Sequence, residues 1–520
     1  NGGLFEPIKN YDWSQTEITL NNEIFSKIID VFERFNFTVQ EEDPEEKEIA
    51  VDPEMLGKVF ENLLPENIRK KGGSFYTPRV IVSYMCEQSI LHYLLAKTKN
   101  KIPINDLEEY VVNTKFNVSK NSNIKTNAKM LDDLLANVKI CDPAVGSGAF
   151  PVSLMNIIIR LRLSLISFLD RKYKNSSYYF KRDCIQNSIY GVDIDDSAIE
   201  IAKLRLWLSL VVDEDNYEKI EPLPNLDFKI VQGNSLLETF HDFQLGSSIF
   251  KENKENTFEN YLGSSHTQNL LIELSELQDQ FFKSISHSKK KILKDKIEQK
   301  IILIFKENIK VRKEYNIKKF EKLETQIQDL ISGKLNKNFF PWQVFFSEVF
   351  LKNEGFDIIV TNPPYVNTKE ISKFNWRNDL KANFGFLDDL YNHFAHLAFL
   401  ISRENGIITF ISSDTFMTLQ TKQNLRSLLL KNKLISILPT PKAFTAMVDT
   451  CIFVVQKNIL SQDRKINFVN LRDLKFDEFQ NLKKNTGIPV WEYLLQPIFE
   501  NIKVNNKNLI SSELFKNNLN

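Results

Sequence analysis

From residue 138 onward, short apolar runs alternate with helix-length stretches. The runs cover 138–141, 189–193, 228–232, 356–361, 406–411, 434–438 and 451–456, with helices expected over 151–169 and 197–212. Unbroken apolar runs of four to eight residues suit strands buried on both faces, and their alternation with helices predicts a mainly parallel sheet of seven strands covered by helices. This is an α/β fold of Rossmann-like type. The last two runs are expected to pair as an antiparallel hairpin at the sheet edge.

Other segments depart from that rhythm. Residues 1–70 read as a helical connector, with Ile24, Phe25, Ile28, Ile29, Phe32 and Phe35 at near-helical spacing and an acidic surface run over 41–48. Residues 250–338 are rich in Lys, Glu, Gln, Leu and Ile and poor in Gly and Pro, which predicts an inserted helical hairpin between two parts of the α/β domain, 71–249 and 339–460. Its basic runs, such as Lys289-Lys290-Lys291, are interspersed with acids and read as solvated helix faces. Residues 461–520 look like the opening of a further module.

Lys plus Arg equals Asp plus Glu at 67 each, so affinity for nucleic acid would have to come from local patches and shape. The four cysteines, Cys86, Cys141, Cys184 and Cys451, are far apart and show neither metal-ligand nor disulfide spacing. Cys141 and Cys451 lie in apolar runs, where a small buried hydrophobe is expected. No apolar stretch of membrane-spanning length is free of charge, and the first residues do not form a signal peptide, which points to the cytoplasm. The chain begins without Met, which suggests an internal start.

Two motifs carry chemistry. Cys141-Asp142-Pro143-Ala144-Val145-Gly146-Ser147-Gly148 follows the first strand and offers a carboxylate beside bare backbone and a helix N-terminus. A dinucleotide fingerprint would place Gly or Ala three positions beyond Gly148, where this chain has Pro151, so a nicotinamide cofactor is disfavoured. S-adenosylmethionine fits better: its zwitterionic end can meet Asp142 and the loop amides around Ala144, Gly146 and Gly148. The acid ending the second strand, Asp193, can take the ribose hydroxyls, with Ile194 beside it. Asp195, Asp196 and Ser197 remain to cap the next helix. Asn234 in Gly233-Asn234-Ser235 ends the third strand and suits the adenine end of the cofactor, or a simple turn.

Asn362-Pro363-Pro364-Tyr365 ends the fourth strand. An exocyclic amine on an aromatic base is a poor nucleophile because its lone pair is delocalised. The Asn362 oxygen and the Pro363 carbonyl can accept its two N–H bonds and favour a pyramidal nitrogen. Pro364 stiffens the loop, and Tyr365 can stack on a base drawn from the duplex. Phe444 is the candidate for the opposite wall. Upstream, Phe75-Tyr76-Thr77-Pro78 opens an apolar helix over 80–95, with Thr77 as expected cap and Pro78 in the first turn.

This series resembles the N6-adenine DNA methyltransferases, in particular the methylase part of Eco57I-like, or type IIG, restriction-modification enzymes. The resemblance spans nearly the whole chain. It implies a Rossmann-like S-adenosylmethionine-dependent methyltransferase, with Tyr76, Thr77 and Pro78 on the methionine side of the cofactor, Gly146 and Gly148 in its loop, and Asp193 on ribose. Asp389-Leu390-Tyr391 also looks familial. Asn234 stands where many members carry Asp. The resemblance further implies a bacterial cytoplasmic enzyme acting on duplex DNA with a flipped adenine, a nuclease upstream and a recognition domain downstream. Glu45-Glu46-Lys47 has the letters of a nuclease centre without a strand-like frame. No metal site is expected. The rival readings are a protein-glutamine or RNA methyltransferase, because the same motif serves any planar amide or amine, and an inactive DNA-binding subunit.

Overall fold

The computed structural model describes residues 77–169, 176–211, 226–240, 243–244, 265–284, 287–310, 326–327, 338–417, 419–440, 449–458 and 467–468, with Glu23, Ser26 and Lys27. Nearly all of the connector over 1–70 and of 461–520, together with Tyr76 and Phe444, lies outside the described residues.

The strands are β1 (Ile140–Asp142), β2 (Ile189–Asp193), β3 (Ile230–Gln232), β4 (Thr239–Phe240), β5 (Phe243–Gln244), β6 (Phe356–Thr361), β7 (Ser402–Ser413), β8 (Lys433–Thr440), β9 (Thr450–Gln456) and β10 (Asn467–Phe468). β4 and β5 form a separate antiparallel pair. The other eight make one sheet in the order β10-β8-β9-β7-β6-β1-β2-β3. Pairing is parallel except where β9 meets β7 and β8.

Two sequence expectations need correction. The sheet has eight described strands rather than seven, because β10 adds in parallel to β8. The last two runs do pair as an antiparallel hairpin, β8 with β9, but β9 is its inner strand against β7 and β10 takes the edge beyond β8. Burial explains this: all seven residues of β9 are buried, which requires neighbours on both sides, whereas β8 exposes Lys433 and half-exposes Ile435 and Ser436.

Alternation along each strand feeds two cores. Ile140, Ile189, Ile230, Ile358, Val360, Ile407 and Ile411 enter one, and Cys141, Tyr190, Val192, Ile359, Ile408 and Phe410 the other. The first core is closed by α1 (Arg79–Thr98), α2 (Ala149–Leu165), α3 (Ser176–Asn187) and α4 (Asp196–Val211). The second is closed by α5 (Ser265–Lys283), α6 (His287–Lys310), α7 (Leu390–Ile401) and α8 (Gln423–Lys431). All four cysteines are buried and free, and burial raises the thiols of Cys141 and Cys451.

With its extension to Phe168, α2 is long and apolar enough to cross a membrane by length and composition, but most of it is buried inside this fold. Its Arg162 pairs with Asp132 and Asp183, each at 2.8 Å. The expected hairpin is α5 and α6. It is seated on the second core through Leu274, Phe281, Ile297, Ile301 and Phe305, with Phe281 edge-on to Phe228. Gln278 fixes it further: its Nε2 donates to the Phe345 carbonyl at 2.9 Å and its Oε1 accepts from Ser347 Oγ at 2.7 Å. Of the basic run, Lys289 and Lys291 are exposed while Lys290 is buried.

At the junction of hairpin and sheet, Lys229 lies over the Tyr190 and Phe282 rings and 3.2 Å from Glu348. Burial pulls this ammonium down to about 7, with the Glu348 carboxylate opposing.

Candidate active site

β1 and β6 are neighbours, and here the chain order of the sheet reverses. The crevice beyond the carboxyl ends of such strands is where open α/β sheets bind ligands. Cys141 pairs with Ile359, so Asp142 ends β1 beside the last residues of β6, and Asn362 follows directly. The two sequence motifs therefore meet at one rim.

The glycine-rich loop is tied to all three strand ends on its side. Val145 N donates to the Val192 carbonyl at 3.0 Å, and Gly146 N donates to Asp193 Oδ2 at 2.8 Å. Ser235 Oγ donates to the Pro143 carbonyl at 2.6 Å, and Gly233 N to the Asp193 carbonyl at 2.8 Å. Arg205 on α4 donates to the Ser147 carbonyl at 3.0 Å. Gly146 and Gly148 both adopt positive φ, +50° and +84°. A Cβ on Gly146 would meet nothing within 4 Å, whereas one on Gly148 would lie 3.0 Å from Ala202 Cβ. Gly146 thus borders open space and Gly148 allows helix packing.

Asp142 is 1% exposed. Its Oδ1 accepts from Ala144 N at 3.0 Å, and its buried Oδ2 has no hydrogen-bond partner of standard geometry. Burial pushes the carboxyl up to about 7, against the lowering influence of the Thr361 hydroxyl and the Ala144 amide. The half-buried Asp193 holds one amide on each oxygen, Gly146 N on Oδ2 and Asp195 N on Oδ1 at 3.0 Å. Burial raises its carboxyl while those amides lower it. Asp195 accepts from Ser197 N at 2.9 Å, as expected of the helix cap. Ile194 is 55% exposed beside Asp193. Asn234 turns its Oδ1 to Leu236 N at 3.1 Å, the turn alternative, and is buried.

On the other side of the crevice, Thr77 does not cap α1. Pro78 occupies the cap position, and its carbonyl accepts from Ile81 N and Val82 N. The Thr77 hydroxyl instead accepts from Asn362 Nδ2 at 2.9 Å. That bond takes the donor end of the Asn362 amide. Pro363 is buried, Pro364 and Tyr365 are half-buried, and burial raises the Tyr365 hydroxyl. α1 is pinned along its length: Ser89 Oγ donates to Thr409 Oγ1 on β7 at 2.8 Å, and Lys97 pairs with Asp357 at the start of β6 at 2.8 Å.

Of the expected residues, Thr77, Pro78, Asp142, Ala144, Gly146, Gly148, Asp193, Ile194 and Asn234 lie on strand ends or loops of this rim, with Asn362, Pro363, Pro364 and Tyr365 following β6. Sequence reasoning missed Ser235, Arg205 and Thr361, which hold the loop or border Asp142. Ser235 lay inside the Gly233-Asn234-Ser235 motif without a role of its own, Thr361 stood next to Asn362, and Arg205 carried no signal.

Residues 187–440 match the Eco57I restriction-modification methylase family. The chain is 29% identical over 514 residues to RM.MjaORFECS2P of Methanocaldococcus jannaschii, described as a type II restriction enzyme and methyltransferase, covering 88% of this chain and 42% of the relative. It is 22% identical over 447 residues to the adenine-specific methyltransferase BrxX of Escherichia coli O9:H4, covering 83% and 32%. The chain thus spans less than half the length of these relatives. Among solved structures, the type IIL restriction-modification enzyme MmeI in complex with DNA gives a TM-score of 0.43 at 14% identity, covering 80% of this chain and 41% of that one. Over residues 187–440, which carry Asp193 and Asn362-Pro363-Pro364-Tyr365, the chain is similar to the Eco57I restriction-modification methylases.

Proposed function

We propose that this chain is the methylating part of a site-specific DNA adenine-N6 methyltransferase, with S-adenosylmethionine as methyl donor and a flipped adenine in duplex DNA as acceptor. One observation carries the reading: the acceptor-bearing amide of Asn362, held by Thr77, stands at the end of β6 directly beside Asp142 and the open Gly146 loop at the end of β1.

The residues fit the cofactor. Asp142 offers a buried carboxylate oxygen lacking a partner, suited to a cationic amino-acid end, and Gly146 borders space for it. Each Asp193 oxygen accepts one amide, and a carboxylate oxygen has a second lone pair, so ribose hydroxyls can still be bound. Tyr76, Thr77, Pro78, Ala144, Gly148, Ile194 and Asn234 complete the proposed lining. When bound, S-adenosylmethionine supplies an electrophilic methyl on a sulfonium.

Asn362 Oδ1 and the Pro363 carbonyl accept the two amine hydrogens and orient the nitrogen lone pair. Pro364 limits the loop's freedom. Tyr365 stacks on the base, contributing on the order of 1–3 kcal/mol against the few kcal/mol of unstacking, with Phe444 as the opposite wall. The nuclease and the recognition domain belong to the same proposal, supported by the relatives' greater length and by the restriction enzyme in the name of the Methanocaldococcus relative, and the cytoplasmic setting is proposed with them.

The test is transfer of labelled methyl groups to duplex DNA, RNA and glutamine-bearing peptide, with N6-methyladenine as product readout. Methylated DNA that Asn362→Ala abolishes is the expected result. Labelling of peptide or RNA alone would replace the substrate assigned here, and no cofactor binding would favour a DNA-binding subunit.

A further inference from the structure

Immediately after Tyr365 the chain continues through Val366 and Asn367 into a short helix, Thr368–Ile371. This exit is held from outside the loop. Leu390 N donates to the Val366 carbonyl at 2.9 Å. Asp389 Oδ1 accepts from both Thr368 N and Thr368 Oγ1, each at 2.8 Å. The other oxygen of Asp389 takes Lys422 Nζ at 2.7 Å, and the same ammonium contacts Asp388. Lys422 is 3% exposed and lies in the short turn Gln420–Lys422 beyond β7.

We propose that Lys422, acting through Asp389, is a positioning residue for the amine-binding loop. The inference rests on the methyltransferase reading of Asn362-Pro363-Pro364-Tyr365. Asp388 and Asp389 are adjacent carboxylates, with Asp389 N donating to Asp388 Oδ1 at 2.7 Å, and the positive charge that contacts both comes from Lys422. His393 does not supply it, since its Nε2 accepts from Asp388 N at 3.1 Å. Asn392 Nδ2 holds the far oxygen of Asp388 at 2.6 Å and also reaches Asn424 Oδ1, at 3.0 Å. The cluster therefore ties the exit of β7 and the start of α7 to the residues directly behind Tyr365. Without the ammonium, the second oxygen of Asp389 loses the contact that fixes it, and the grip of Asp389 on Thr368 weakens.

The experiment compares the parent chain with Lys422→Met, Lys422→Arg and Thr368→Ala, measuring kcat and KM for DNA methylation, cofactor affinity by calorimetry, and thermal midpoint. Misplacement of a reacting group by about 1 Å costs on the order of 100-fold. Lys422→Met is expected to lower kcat by about 10- to 100-fold with cofactor affinity unchanged, Lys422→Arg to restore most of it, and Thr368→Ala to lower kcat several-fold at an unchanged midpoint. Unchanged kcat in Lys422→Met and Thr368→Ala would overturn the positioning role. So would losses of kcat and cofactor affinity in equal proportion, which mark general damage. If Lys422→Met does not fold, Thr368→Ala decides alone. A parent that methylates no DNA counts against the methyltransferase reading instead.

Discussion

Thr77 and Asn362 are 285 residues apart in the chain and joined by one 2.9 Å hydrogen bond from amide nitrogen to hydroxyl oxygen. The bond fixes which end of the Asn362 amide is left to accept. Replacing Thr77 by Val removes the acceptor, and a neutral hydrogen bond contributes about 1 kcal/mol. Thr77→Val is expected to lower methylation kcat by about fivefold, with cofactor affinity changing less, and Thr77→Ser to retain most of it. Steady-state kinetics checks this.

Asp142 gives a pH signature. Its folded-state carboxyl is pushed up to about 7 by burial, above the ordinary value of about 4. A raised carboxyl favours folding fully below its unfolded value, and that contribution is lost as pH climbs from about 4 through about 7. The difference in thermal midpoint between Asp142→Asn and the parent should therefore grow in favour of the variant over this window and level off above it. Cofactor binding should release protons near pH 6 in the parent and fewer in the variant, read by calorimetry in buffers of different ionisation heat.

The two glycines of the loop should separate stability from binding. Gly148→Ala forces a positive φ of +84° on a residue whose Cβ meets Ala202 at 3.0 Å, costing about 2 kcal/mol in urea unfolding. Gly146→Ala has open space and a φ of +50°, so its stability loss should be smaller, about 1 kcal/mol. Its methyl group enters the space assigned to the cofactor. Weakened cofactor binding with modest destabilisation is the expected pattern for Gly146, and the reverse for Gly148.

Lys229 and Glu348 form a buried pair with aromatic walls. Removing one partner leaves the other charge uncompensated, a loss of about 3–5 kcal/mol. Lys229→Met should destabilise strongly, and adding Glu348→Leu should recover most of the loss. Chemical denaturation of the four members of this cycle measures the coupling.

What the sequence made legible follows from burial. β2 and β6 match their expected bounds at both ends because strands buried on both faces are unbroken apolar runs closed by polar loops. β3 is shorter than its run, since Phe228 and Lys229 lie in a turn serving the hairpin's core. β7 is longer than its run, extending back through the exposed Glu404 and Asn405, which pattern alone assigns to a loop. The place of β9 was illegible because order within a sheet depends on pairing between distant segments. Lys422 sits in the polar sequence Gln420-Thr421-Lys422, which resembles a solvated surface, and only the fold brings Asp388 and Asp389 to it. Motif residues declare themselves by type and spacing; the groups that hold them do not.

The seam between β1 and β6 has a practical meaning. Strands β1 to β3, with Thr77 and α1, come from the chain before the hairpin and β6 to β9 from the chain after it, and the crevice is assembled from both. A polypeptide divided within residues 245–264 would carry the glycine-rich loop and Thr77 on one fragment and Asn362-Pro363-Pro364-Tyr365 on the other. Neither fragment has a complete crevice, and rejoining along the seam rebuilds it, so the sheet is a ready scaffold for split-protein complementation in which association of two pieces turns the site on.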